Sequence, residues 1–201
     1  MIKGILYRQP GKGTYVAEPP TDMQLVGVTG YISMLATSDE HVFRTRILGK
    51  IKCPLFARQL LGLPSRGEVI HLEQITFVRG EPRYIHHCYL PMEVGAAILT
   101  LCVDEKSILE ILVLQLSHLP AKSRDHLSLG LSNAEEAEQL GIPMNFPVQV
   151  QRGVIISTDG KPLEAHKIII RGDRFKQDIE YTLDQKMIEQ VVKHSQSKKE
   201  K

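Results

Sequence analysis

The 201-residue chain has three cysteines, Cys53, Cys88 and Cys102, with no Cys-x-x-Cys pair among them. An odd, widely spaced set argues against a disulfide framework or a zinc knuckle and fits reduced thiols. Charge of one sign is also scarce, because 25 Lys and Arg against 23 Asp and Glu leave a net +2. That is too little to draw the whole surface to nucleic acid or an anionic membrane. Long apolar runs are missing too. The longest, Val94–Val103 and Ile108–Leu116, fall short of the roughly 20 residues that span a hydrocarbon core. The N-terminus lacks the charged-then-apolar layout of a secretory signal. What remains is ordinary for a soluble globular domain, with 42% hydrophobic and 24% charged residues and enough length for one sizeable core. A soluble cytoplasmic protein is expected.

Two stretches repeat each other. Leu61-Gly62-Leu63-Pro64 leads through Val69 to Gly80-Glu81-Pro82, and Leu140-Gly141-Ile142-Pro143 leads through Val148 to Gly160-Lys161-Pro162. The offset is 79 residues at the start and 80 after one insertion. Each copy reads as helix, strand, tight turn, strand, and neither buries its apolar face alone, so the copies are expected to share one interior.

Around the repeats, residues 1–16 read as a hairpin turning at Gln9-Pro10-Gly11-Lys12-Gly13, and residues 17–27 as a proline-stiffened linker. The main domain is placed at 28–185 and a charged tail at 186–201. Val42–Lys52 reads as a strand. Pro54–Leu61 reads as a helix closed by Gly62. Glu68–Phe77 and Arg83–Leu90 form a hairpin. Pro91 opens a helix toward Ile98, and Asp104–Leu116 reads as an amphipathic helix through Ile108, Ile111 and Leu112. Arg124–Leu131 alternates Leu127, Leu129 and Leu131 against His126, Ser128 and Gly130, as a half-buried strand does. Ser132 with Glu135 has the pattern of a capping box for a helix at Ala134–Leu140. Val148–Ile156 and Leu163–Ile170 flank Asp159-Gly160, a type I′ signal. Phe175–Leu183 reads as a last strand. The fold class expected is α+β, an internally duplicated antiparallel sheet with covering helices.

These elements carry a resemblance. Leu61–Pro64, Gly80-Glu81-Pro82 with Tyr89-Leu90-Pro91, Leu140–Pro143 with Pro147-Val148, and Gly160–Glu164 with Arg171–Phe175 resemble, in order and spacing, the UTRA effector-binding domain of HutC-type GntR regulators. The resemblance implies a chorismate-lyase-like fold, a small-molecule effector bound between the repeats, and a homodimer. Residues Ile5–Val16 are similar to the wing of a GntR winged helix, with Arg8, Lys12, Gly13 and Thr14 as its DNA-contact positions. No recognition helix precedes that wing, so DNA binding is expected only where a winged helix is supplied, and a truncated regulator is the reading.

Strand alternation places Gln74, Thr76, His86, Cys88, Glu164 and His166 on the expected inner face, with His126 and Ser128 nearby. The resemblance adds Tyr89 and Ile170 to the effector-binding set. It also implies arginines at the positions of Gln74 and Thr76 and an acidic residue at that of His86. Without those arginines a dianion lacks its bidentate partners, so the expected effector is not a sugar phosphate. His86 and His166 match across the duplication. His86, Cys88, Glu164 and His166 include zinc-ligand chemistry, but their spacing is no compact metal signature, so no metal and no cofactor are expected. Arg171, Asp173 and Arg174 read as a structural turn. Three functions compete: the sensing domain of a regulator, a free-standing chorismate-lyase-like enzyme with Glu164 as its acid, and a partner that dimerises with a full-length homologue. The first is favoured and no catalytic residue is assigned, because the enzyme would need the missing arginines.

Overall fold

The computed structural model describes residues 6–9, 13–16, 41–100, 103, 106–116 and 118–174. The expected linker, the strand at 175–183, the charged tail, Lys12 and Cys102 lie outside the described residues. Strands β1 (Leu6–Gln9) and β2 (Gly13–Val16) pair antiparallel, with Arg8 opposite Thr14 and Gln9 opposite Gly13.

The first repeat comprises β3 (His41–Lys52), α1 (Leu55–Leu61), β4 (Glu68–Val78) and β5 (Glu81–Pro91). A connecting segment follows, with α2 (Met92–Gly95), a 3-10 turn at Ala96–Thr100, α3 (Ile108–Glu110) and a π turn at Ile111–Gln115. The second repeat comprises β6 (Pro120–Leu131), α4 (Ala134–Leu140), β7 (Pro147–Ser157) and β8 (Pro162–Arg171). The six strands form one antiparallel sheet in the order β3-β4-β5-β8-β7-β6. The duplication therefore meets at its own axis, where β5 of one copy pairs with β8 of the other.

The copies match in detail. Both helices end on a left-handed glycine, Gly62 at φ 66° and Gly141 at φ 62°. After each helix the loop returns to the sheet by the same bond, from Cys53 N to Gly67 O and from Ser132 N to Phe146 O, each 2.9 Å. The helices cross over: α1 packs on β7 and β8 of the second repeat, whereas α4 packs on β5 of the first. Ala57 and Leu61 thus join Val154 and Ala165, and Leu140 joins Ile85 and Ile169. Neither repeat closes its core without its twin, which is why the duplicated unit occurs as a pair. The connecting segment covers the opposite face, where Val94, Ile98, Ile108, Ile111 and Leu112 pack on Ile70, Leu72 and Leu90.

Several local expectations are corrected. The expected amphipathic helix at 104–116 is a short α3 running into a π turn, capped by a Ser107–Glu110 box. The cap of α4 is Asn133 with Glu136, one residue beyond Ser132 and Glu135. Ser132 is occupied elsewhere, since its hydroxyl donates to Pro143 O and accepts from Phe146 N, both 3.0 Å. The type I′ turn belongs to the first hairpin, where Arg79 and Gly80 both have positive φ. In the second hairpin Gly160 has positive φ but Asp159 does not, so its loop is a type I turn closed by a left-handed glycine. On β6 the alternation is as expected but the leucines are not half-buried: Leu129 is 90% and Leu131 63% exposed.

Candidate functional site

One face of the sheet holds a layer of buried polar side chains. Register pairs Gln74 with His86, Cys88 with His166, Gly153 with His166, and Gln151 with Ile168. Residues two apart on a strand share a face, so Thr76, Glu164, Gln149 and Ile170 join them. Thr76, His86, Cys88 and Glu164 are fully buried, and Gln149, Gln151, His166 and Ile170 nearly so. The strands are long and β-branched enough to carry these polar positions in the middle of the sheet, flanked by apolar rows.

At the centre His86 Nε2 lies 2.6 Å from Glu164 Oε1. His166 Nδ1 approaches the same oxygen at 3.6 Å, while its Nε2 lies 2.7 Å from Asp125 Oδ1. The two imidazoles meet edge to face, 5.7 Å between centroids. The Cys88 thiol is pushed well above its ordinary pKa by burial, by the negative charge of Glu164 and by its hydrogen bond to that carboxylate. Burial pushes the Asp125 carboxyl up, but hydrogen bonds from His166, Gln151 and Ser123 outweigh it and hold the pKa below the usual value. Gln74 Nε2 donates to Thr45 Oγ1 (2.7 Å) and to Lys106 O (2.8 Å), tying the layer to the connecting segment.

Several polar atoms in this layer are buried without a hydrogen-bond partner: Gln74 Oε1, Thr76 Oγ1, Gln149 Oε1, Glu164 Oε2 and His166 Nδ1. A buried polar group left unpaired costs about 1–3 kcal/mol, so a cluster of five on one face is a costly arrangement for a purely structural core. Of the cations on the central strands, Arg152, Lys167 and Arg171 project from the other face, and Arg83, near the start of β5, sits by Glu81, Arg171 and Asp173.

Of the residues expected from sequence, the structure brings together Gln74, Thr76, His86, Cys88, Glu164, His166 and Ile170. It places Tyr89, His126 and Ser128 on the opposite face. Tyr89 packs against Phe56 beneath α1, His126 sits exposed opposite Arg152, and Ser128 donates to Val150 O at 3.3 Å. The reason is parity: on β6 it is Asp125, not His126, that stands beside Gly153. Sequence reasoning missed Asp125, Gln149, Gln151 and the buried Tyr84. Alternation along β7 was the available signal for the two glutamines. An open cavity of about 500 Å³ lies elsewhere, between the end of α1 and the start of α2, walled by Leu61, Leu63, Pro91, Met92, Val94 and Leu163. None of the expected effector-binding residues lines it, and its charged groups Glu68, Glu93, Asp159 and Lys161 are exposed.

Fold and layer define a class of domain: a duplicated α+β sheet whose two copies enclose a polar stratum at their junction. The chain belongs to the UTRA domain family, whose model matches residues 39–176. It is 24% identical over 180 residues to the HTH-type transcriptional repressor NagR of Bacillus subtilis, covering 86% of this chain and 71% of that protein. It is 26% identical over 142 residues to the uncharacterized HTH-type transcriptional regulator YurK of the same organism, covering 69% of this chain. The match spans 57% of the length of YurK. The crystal structure of PhnF from Mycobacterium smegmatis superposes with a TM-score of 0.66 at 18% identity, over 91% of this chain and 80% of that one. Among the described residues no helix is long and apolar enough to cross a membrane.

Proposed function

We propose that this chain is the effector-sensing and dimerising part of a HutC-type GntR transcriptional regulator acting in the cytoplasm, and that its effector is a small, non-phosphorylated molecule held by the polar layer. The observation that carries this reading is the set of unpartnered buried acceptors on Gln74, Gln149 and Glu164, beside the unpartnered Thr76 hydroxyl. Acceptors of that kind call for a ligand rich in donors or carrying positive charge. The absence of arginine and lysine from the described central strands of this face weighs against a dianion, whose burial without a partner costs several kcal/mol. The same lack weighs against a chorismate-lyase-like enzyme, which would need cations to hold two carboxylates, so an enzymatic role is not favoured. In a regulator that carries a winged helix, occupancy of this layer would be reported to the DNA-binding unit. The exposed Leu129 and Leu131 on the edge strand β6 support a homodimer across that edge, since apolar edge strands are ordinarily covered.

A thermal-shift panel of amines, amino acids, neutral sugars and sugar phosphates tests the effector reading. Binding to the folded state raises the melting temperature by mass action. The expected result is that amines or neutral, hydroxyl-rich compounds stabilise most. Strongest stabilisation by sugar phosphates would contradict it.

A further inference from the structure

We propose that His86, Cys88 and Glu164 form a binding site for a zinc ion at the centre of the polar layer. The inference rests on reading this layer as the ligand site and names one ligand class for it. His86 and Cys88 stand two apart on β5, facing Glu164 on β8, and their donor atoms all lie within 4.8 Å of one another. Two zinc bonds of about 2.0–2.3 Å span at most roughly 4.6 Å, so the cluster is close to the size of one coordination sphere. Imidazole nitrogen, thiolate and carboxylate together are the borderline-soft set that suits zinc.

Two further observations point the same way. Glu164 Oε2 is fully buried and has no hydrogen-bond partner. His166, which pairs with Cys88 across the strands, has Nε2 2.7 Å from Asp125 Oδ1, and its buried Nδ1 has no hydrogen-bond partner. That nitrogen faces Glu164 Oε1 at 3.6 Å. The Asp125–His166 pair has the form in which a carboxylate orients an imidazole at a metal centre, and here it positions His166 beside the three ligands. With one thiolate and one carboxylate the zinc-loaded site is charge-neutral. The ligands come from strands of different repeats, which is why no compact spacing marks them in the sequence.

The test is calorimetric titration of zinc into the EDTA-treated full chain, with cobalt substitution as a spectroscopic readout. The expected result is one ion per chain and a thiolate-to-cobalt absorption band. Cys88→Ser is expected to lose both, and Asp125→Asn to bind about 10–100-fold more weakly; Cys53→Ser, whose thiol lies in the α1 cluster on the opposite face, should keep both. Equal uptake by wild type and Cys88→Ser would mean surface binding and would overturn the site. If Cys88→Ser does not fold, a wild-type cobalt spectrum without the thiolate band overturns it equally. Stabilisation of metal-free protein by an organic compound, without zinc uptake, sinks the metal site and spares the effector reading. Zinc binding at Cys88, with no organic compound stabilising the loaded protein, supports the metal site and counts against an organic effector.

Discussion

Gln74 and Gly153 occupy equivalent positions in the two repeats, and the difference between them sets the asymmetry of the polar layer. In the first repeat the Gln74 side chain fills the space beside His86 and bonds Thr45 on the next strand. In the second, Gly153 leaves that space open, and Asp125 reaches across the strand to His166. A Cβ at Gly153 would sit 2.1 Å from Asp125 Oδ1 and 2.6 Å from both Arg124 O and His166 Nε2.

Gly153→Ala is therefore expected to break the Asp125–His166 contact and to destabilise the domain by roughly 1–3 kcal/mol, the usual range for overpacking. Urea unfolding measures the loss. An unchanged midpoint would show that β6 shifts freely, and the glycine would have no role in the layer.

Acid should destabilise the fold. His71 stacks on Tyr89, 4.6 Å between centroids. Burial first, then the neighbouring His87, push its pKa down from 6.5 to about 4. Because the unfolded chain takes up this proton first, the stabilisation is complete above pH 6.5 and is lost as pH falls from there toward about 4. Glu136, held below its ordinary pKa by Lys167 and the backbone of Asn133 against the upward push of burial, adds loss in the same direction below about 4.5. Melting temperatures between pH 8 and 4 should fall on acidification, and His71→Phe should flatten the limb between pH 6.5 and 4. A rise in stability toward pH 5 would contradict the buried neutral histidine.

The edge strand β6 should carry the dimer contact. Leu129→Glu places a charge on its most exposed leucine. Sedimentation at micromolar concentration is expected to change from a dimer to a 22.6 kDa monomer. Wild type sedimenting as a monomer would remove the dimer, and a dimeric variant would move the contact to another surface.

Much of the fold was legible because its signals are local. Gly62 and Gly141 mark helix ends whose left-handed backbone disfavours a side chain, and the alternation of β4, β5 and β8 placed Gln74, His86, Cys88 and His166 on one face. The missed residues have physical reasons. Gln149 and Gln151 correspond to Ile70 and Leu72, so the duplication itself pointed to apolar core at those positions. On β6 the leucines drew attention as the core side, yet they share the parity of Asp125 at an exposed sheet edge. The crossing of α1 and α4 depends on packing between residues about a hundred positions apart, such as Ala57 and Val154, and no local pattern encodes it. The type I′ turn fell to Arg79-Gly80 because the longer second loop lets Asp159 keep negative φ.

The central claim is that the effector is held by the polar face rather than by the helix-covered face or the apolar cavity. Calorimetric titration tests it most directly, with whichever panel compound raises the melting temperature most. The titration is run on wild type, Thr76→Val and Gln149→Leu on the polar face, His126→Ala on the opposite face, and Met92→Ala in the cavity wall. The account predicts at least a tenfold loss of affinity for Thr76→Val and Gln149→Leu, with His126→Ala and Met92→Ala binding like wild type. Affinity lost in His126→Ala or Met92→Ala, and retained in the two polar-face variants, would contradict it.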